Sequence, residues 1–563
     1  MNRKPLVAGM ASLMVLALLA GCTSKQSGTT TEPTKTDTPK VNKVLRYNAG
    51  ADFATLDPAL MSDLVSFTAI TPLTEGLMRQ TEKGLVPGLA KEYKMNADGT
   101  VYTFTLRDGL KWSNGEPMTA EDFVYSWTRA LSPETAADYA YQLYYIKGGE
   151  ELNSVAKKKK EGDKEVDNPN YAKELEAATK ALGVKAVNAN TLEVTLKAPT
   201  PYFLDLTAFP TLLPVNKKIV EGSKDWANKA ETFIGAGPFK IAKWEAKKEL
   251  VLEPNPYYYD KSKIKLSQIV YYMIEEQGTA LQLLESGGLE VMDAPPGAEI
   301  PRLTKENKLG KAPSYGTYYY LLNTSKAPFN DVRVRKAFAM AIDRKSIVEN
   351  VTKGGQIPAY ALVAPGATDP VAKKDYREAG GNYFKEDLAE AKKLLAEAGY
   401  PEGKGFPAAE IIYNTNETHK AVSEALIEMW KKNLGITELK ATNMEFKTLL
   451  DKRKSGEYTI SRAGWFGDYL DPMTYLDMWL TGGGNNDAHW SNKEYDALIK
   501  TAQTTTDVKA RFEAMHKAEG IAMNDMIITP LYYYTNLYVQ SDKVTGVYRN
   551  ALGITDFSFA DLK

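Results

Sequence analysis

Hydrophobic and polar positions along the chain repeat with two periods, and the period changes from segment to segment. In Val101-Tyr-Thr-Phe-Thr-Leu106, Tyr102, Phe104 and Leu106 alternate with polar partners, the pattern of a half-buried strand. The preceding Asn96-Ala97-Asp98-Gly99 supplies turn residues, so the pair predicts a hairpin. A second such strand is predicted at Thr191-Leu-Glu-Val-Thr-Leu196 after an Asn-Ala-Asn turn, with a helix over 120–130 between the two. Further on, Tyr318-Tyr-Tyr-Leu-Leu322 predicts an apolar strand, and helices are predicted over 331–343, 386–398 and 420–433. Their caps agree with their periodicity: Gly399-Tyr400-Pro401 stops one and Gly435 another. Val422, Leu426 and Met429 make one apolar stripe suited to packing against a sheet. Ser491-Asn-Lys-Glu494 predicts a capping box ahead of another helix. Irregular alternation of strands and helices points to mixed α/β lobes rather than one barrel or an all-β sandwich. No short-period repeat occurs.

The N-terminus follows another pattern. Arg3 and Lys4 precede an apolar run from Leu6 to Ala20 that is too short for a permanent span, as in an export signal. The run ends in Leu19-Ala20-Gly21-Cys22, which resembles the lipobox of bacterial lipoproteins, so Cys22 is the expected site of lipid attachment. It is the only cysteine of 563 residues, so the mature chain has no other thiol for a disulfide, a metal or a nucleophile. Residues 23–43, rich in Thr, Ser, Pro and Lys, bury too little apolar surface to fold and read as a tether.

The remaining body is ordinary in composition, 43% hydrophobic and 25% charged with a net charge of −1, which gives no footprint for nucleic acid. Lys157 to Lys160 read as a solvated face. The three histidines, His419, His489 and His516, lie far apart without HExxH or a cysteine partner, so a zinc site is not expected. Serine-hydrolase elbow and nucleotide-loop motifs are missing. Asp468 and Asp471, in Ser461-Arg-Ala-Gly-Trp-Phe-Gly-Asp-Tyr-Leu-Asp-Pro472, leave paired-carboxylate chemistry open, but no dense acidic loop surrounds them to cage calcium. No cofactor is expected. Aromatic content is high, with 33 Tyr and 8 Trp and runs at 257–259, 318–320 and 532–534; most of these read as core and strand, while an aromatic-lined cleft suits variable organic ligands.

Four stretches together carry a family resemblance: TFTLRDGLKWSNGEPMTAEDFVYSWTR (103–129), GAGPFKIAKWEAKKELVLEPNPYYYD (235–260), YYYLLNTSKAPFNDVRVRKAFAMAIDR (318–344) and EFKTLLDKRKSGEYTISRAGWFGDYLDP (445–472). They resemble the lipid-anchored oligopeptide-binding proteins of bacterial peptide ABC importers, solute-binding family 5. The resemblance implies a two-lobed α/β fold of the class II periplasmic-binding type, with the ligand cleft between lobes. Lobe I is expected at 44–75, 206–300 and 531–563, an inserted domain at 76–205 and lobe III at 301–530. The implied partners are an oligopeptide and the subunits of an import permease. The chain is expected to be a monomer held to the membrane through its lipid alone.

The resemblance also implies a binding site. Asp468 matches the aspartate that pairs with the ligand α-ammonium, and Trp465 stands three before it. Gly464 and Phe466 fall in the segment laid beside the peptide as an added strand, where main-chain hydrogen bonds hold the ligand without reading its side chains. Phe446 stands where close relatives carry a pocket tryptophan, and Phe466 where some carry cysteine. Tyr125 matches a ligand-contacting tyrosine from the opposite domain, Arg462 and His419 match cations for the ligand carboxylate, Arg453 matches a further cleft arginine, and Asp52 falls on a strand placed near the peptide. A same-fold receptor for a dipeptide, a murein peptide or another small solute is the alternative. A different-class rival is an exported hydrolase using Asp468 and Asp471 as acid and base.

Overall fold

The computed structural model describes residues 42–161 and 164–563; the signal, Cys22 and most of the tether lie outside the described residues. Residues Lys43–Lys563 form one compact unit built on three main sheets.

The first sheet has seven strands in the order Phe239–Glu245, Glu249–Pro254, Gln268–Tyr272, Val44–Asn48, Val291–Asp293, Asn536–Gln540 and Leu309–Ala312. The second has six: Ile357–Pro358, Thr529–Tyr533, Gly316–Leu322, Ile460–Phe466, Ala409–Asn414 and Leu439–Met444. The third is antiparallel, in the order Ala90–Met95, Val101–Leu106, Thr191–Thr195 and Val184–Asn188. Its first turn forms as the sequence predicts. Asn96 Oδ1 accepts from the N–H groups of Thr100 and Val101, and Gly99 takes the left-handed conformation at φ +68°.

Leu309–Ala312 pairs with Asn536–Gln540 in the first sheet, and Thr529–Tyr533 pairs with Gly316–Leu322 in the second. The chain therefore crosses between the two large sheets twice, at 313–315 and at 534–535.

The 318–320 tyrosines show why one run serves two layers. Neighbouring side chains on a strand point to opposite faces, so Tyr318 and Tyr320 join one hydrophobic core while Tyr319 joins another. Predicted helices appear at Ala120–Leu131, Val332–Met340, Leu388–Glu397 and Glu417–Leu434. Asp331, Asp387 and Asn416 cap the last three with side-chain oxygens. The stripe of Glu417–Leu434 is Val422, Leu426 and Trp430; Met429 lies at its margin, only partly buried. Asn492, not Ser491, caps helix Lys493–Thr504, accepting from the Glu494 and Tyr495 N–H groups. The lysines at 157–160 sit in the exposed region of a short hairpin, and Lys157, Lys158 and Lys159 face Glu134, Glu165 and Glu174.

Candidate functional site

A cavity of about 670 Å³ lies among the sheets. Strand Ile460–Phe466 forms its floor. One edge of this strand pairs along its whole length with Gly316–Leu322, from Gly316↔Phe466 to Leu322↔Ile460. The other edge pairs with Ala409–Asn414 only at Ile460 and Ser461. Among the described residues, the edge from Arg462 to Phe466 therefore has no strand partner, leaving main-chain groups to pair with something else.

Alternation along this strand sorts the expected site residues by face. Arg462, Gly464 and Phe466 all meet Tyr534. The Arg462 guanidinium donates to the Tyr534 hydroxyl at 2.8 Å, a Cβ on Gly464 would lie 2.5 Å from that hydroxyl, and the Phe466 ring stacks on Tyr534 at 4.5 Å. Gly464 is thus glycine because Tyr534 occupies the space a side chain would need. Trp465 points the other way and stacks on Tyr139 of the inserted domain at 5.9 Å.

Asp468 follows just beyond the strand, 8% exposed. Its Oδ2 accepts from Gln142 Nε2 at 2.8 Å and from the Thr474 hydroxyl at 3.3 Å, and its Oδ1 faces the Tyr139 hydroxyl at 3.5 Å. Every donor is neutral, and no cation pairs with Asp468 among the described residues. Burial first, and then the nearby Asp477, push its carboxyl well above the usual range. A buried carboxylate without a counter-charge costs several kcal/mol, roughly 3–5.

Arg462 is the complementary case. It reaches Asn414 Oδ1 at 3.4 Å, lies 4.8 Å over the Tyr318 ring and has no carboxylate partner among the described residues. Its neutral surroundings suit an incoming anion. His419 lines the same cavity and meets the Tyr318 hydroxyl through Nδ1 at 3.2 Å. Burial and the Arg462 charge hold its pKa well below 6.5, so in this arrangement it is a neutral hydrogen-bonding group and not the cation expected.

The other candidates separate. Phe446, first residue of helix Phe446–Lys454, and Arg453 both line the cavity. Arg453 is not a solvated turn residue: its guanidinium grips Asp487, one contact at 2.8 Å, and its charge is already balanced. Asp52 does not line the cavity, although Ala51 and Ala54 do; its carboxylate accepts from the Phe53 N–H. Tyr125 does not line it either. Helix Ala120–Leu131 turns Phe123 and Trp127 into the core, and Tyr125, between them on the other face, packs under Lys217. The inserted-domain tyrosine that reaches Asp468 is Tyr139. Asp471 is held in two contacts, 2.7 and 2.9 Å, by Arg511, so it is a structural anion rather than the second half of an acid–base pair.

Sequence reasoning missed Tyr139, Gln142, Thr474 and Tyr534. Gln142 lies in an aromatic stretch, Tyr139-Ala-Tyr-Gln-Leu-Tyr-Tyr145, that reads as core, and Tyr534 closes a tyrosine run that reads as strand.

Comparison with known proteins supplies the family and the fold. Residues 84–487 match the family described as bacterial extracellular solute-binding proteins, family 5 Middle. The oligopeptide-binding protein OppA of Bacillus subtilis (strain 168) is 38% identical, covering 98% of both chains. The structure of Listeria monocytogenes OppA bound to peptide superposes with a TM-score of 0.83 at 31% identity, covering 92% of this chain and 99% of that one. The murein tripeptide binding protein MppA of Escherichia coli gives 0.81 at 33% identity, covering 92% of this chain and 98% of that one. The unliganded open form of MppA gives only 0.56 at 32%, over 92% and 97%, so the lobes here stand in a different, non-open arrangement. The chain belongs to the bacterial extracellular solute-binding proteins, family 5.

Proposed function

We propose that this protein is a lipid-anchored receptor on the extracytoplasmic face of the cell membrane that captures short oligopeptides and delivers them to an ABC import permease, with no chemistry of its own. One observation carries the reading: a single cavity holds a buried carboxylate, Asp468, and a half-buried guanidinium, Arg462, neither with an opposite charge among the described residues, joined by a strand with a free edge. An unblocked peptide offers the matching set of an ammonium, a carboxylate and a main chain ready to pair as a strand. A sugar has no use for a carboxylate aimed at an ammonium. The names of the relatives point the same way, and anchoring rests on Cys22 in its lipobox-like setting.

Calorimetry with tetra-alanine and its N-acetylated form tests the reading. Acetylation is expected to weaken binding at least about a hundredfold, because it removes the charge that Asp468 meets. Equal affinity for the two forms overturns it. Mass spectrometry after incubation is expected to return the peptide intact, and Cys22→Ser is expected to release the protein from the membrane fraction.

A further inference from the structure

Asp468 is not the only buried carboxylate where the inserted domain meets the second lobe. Asp477, 1% exposed, lies behind it on the same lobe. Its Oδ2 accepts from the Tyr145 hydroxyl at 3.1 Å and the Tyr469 hydroxyl at 3.2 Å, while its Oδ1 has no hydrogen-bond partner. Tyr145 comes from the inserted domain, as do Tyr139 and Gln142 on Asp468, so one short segment, 139–145, covers both carboxylates. Tyr202 adds a 4.3 Å stack on Tyr469, and Lys454 reaches Asp138 at 2.5 Å across the same boundary.

The charged and titratable groups facing Asp477 are Tyr145, Tyr469, Tyr141, Tyr202, Tyr495, Asp468 and Asp471. Arg511, a cation of the same region, is spent on Asp471. When a peptide ammonium settles on Asp468, that carboxylate must be ionised. A second ionised carboxylate behind it would then be left with two hydroxyl donors on one oxygen and none on the other, an unfavourable burial. Neutralising Asp477 with a proton from solvent removes that charge.

We propose that Asp477 is a positioning residue of the amine site, taking up a proton as the inserted domain closes onto the second lobe over a peptide amine, so that capture is proton-linked. The inference rests on the peptide reading above. Burial pushes the Asp477 carboxyl up to about 7 in this arrangement, against about 3.9 for a solvated aspartate. A value raised in the closed state favours closure at low pH, and this contribution is lost as pH rises through about 7. His419, held below its ordinary value by burial and by Arg462, is common to wild type and variant and cancels in their difference. The difference between wild type and an Asp477 variant therefore reports Asp477 together with its effect on the neighbouring Asp468.

Titrating the mature protein with tetra-alanine at pH 6, in two buffers of different ionisation enthalpy, counts protons per bound peptide. Wild type is expected to take up close to one proton more than Asp477→Asn, and its affinity is expected to fall about tenfold more than the variant's between pH 6 and 8. Equal proton counts with parallel pH profiles overturn the proposal. Tyr145→Phe supplies a second reading should Asp477→Asn fail to fold by circular dichroism. Losing a donor to the ionised form is expected to extend uptake to higher pH, and an unmoved profile is again fatal. Absence of tetra-alanine binding by wild type overturns the peptide reading and this inference with it, whereas binding without the proton difference sinks the inference alone.

Discussion

Gln142 Nε2 donates to Asp468 Oδ2 across 2.8 Å, joining two residues 326 positions apart and tying the inserted domain to the strand that floors the cleft. The bond orients a carboxylate that has no cation of its own. Replacing Asp468 with alanine is expected to weaken binding of a free-amine peptide at least about a hundredfold by calorimetry, since the ammonium then enters a closed cleft unpaired. Gln142→Ala, which removes one neutral donor from the ionised carboxylate, is expected to cost about 1.5–3 kcal/mol, or roughly 10- to 100-fold.

In the proposed reading, Arg462 meets the far end of the ligand. Arg462→Met keeps an unbranched apolar stem and removes the guanidinium that lies over Tyr318. Affinity for a peptide with a free carboxylate is expected to drop roughly 10- to 100-fold, the range of a charge-assisted hydrogen bond of about 1.5–3 kcal/mol. Amidating the peptide C-terminus is expected to bring wild type and variant to the same affinity. Unequal affinities for the amide place the Arg462 contribution elsewhere.

Gly464 tests the packing of the site rather than its charge. A methyl group at this position would lie 2.5 Å from the Tyr534 hydroxyl, so the tyrosine must swing away and release Arg462. Gly464→Ala is expected to weaken binding roughly tenfold with little loss of melting temperature. Pairing it with Tyr534→Phe is expected to give less than the sum of the two effects, because both act on one contact.

Asp471 belongs to stability. Its partner Arg511 has a side chain only 9% exposed, so Asp471→Ala leaves a buried guanidinium uncompensated. A loss of about 3–5 kcal/mol is expected in denaturant unfolding, whereas a surface pair would cost under about 1 kcal/mol. Peptide affinity of the folded fraction is expected to stay near that of wild type, which separates this carboxylate from Asp468 three residues earlier.

Local pattern made much of the body readable. Period-two alternation marks Val101–Leu106 and Thr191–Thr195, and polar caps at Asp331, Asp387 and Asn416 mark helix starts, because these signals depend on residues within a turn or a pleat of one another. The Asn492 cap is one position from the expected one, since neighbouring Ser and Asn both suit the role and only backbone geometry chooses between them. Asp468, Trp465 and Arg462 stand together in a single stretch of chain, and it is the family resemblance of that stretch, not its spacing, that marks them.

What the sequence by itself determined is the class of fold, its elements and the one stretch of chain, from Arg462 to Asp468, that carries both unpaired charges, all properties of neighbours in the chain. Tertiary structure alone decided the rest. It selected Tyr139 over Tyr125, because helix Ala120–Leu131 faces its tyrosine away from the cleft, and it neutralised His419 by burying it beside Arg462. It also committed Arg453 to Asp487 and Asp471 to Arg511, and set Asp477 behind Asp468 under one segment of another domain. Burial and charge pairing depend on which distant segments meet, and no spacing within a single stretch of chain records that.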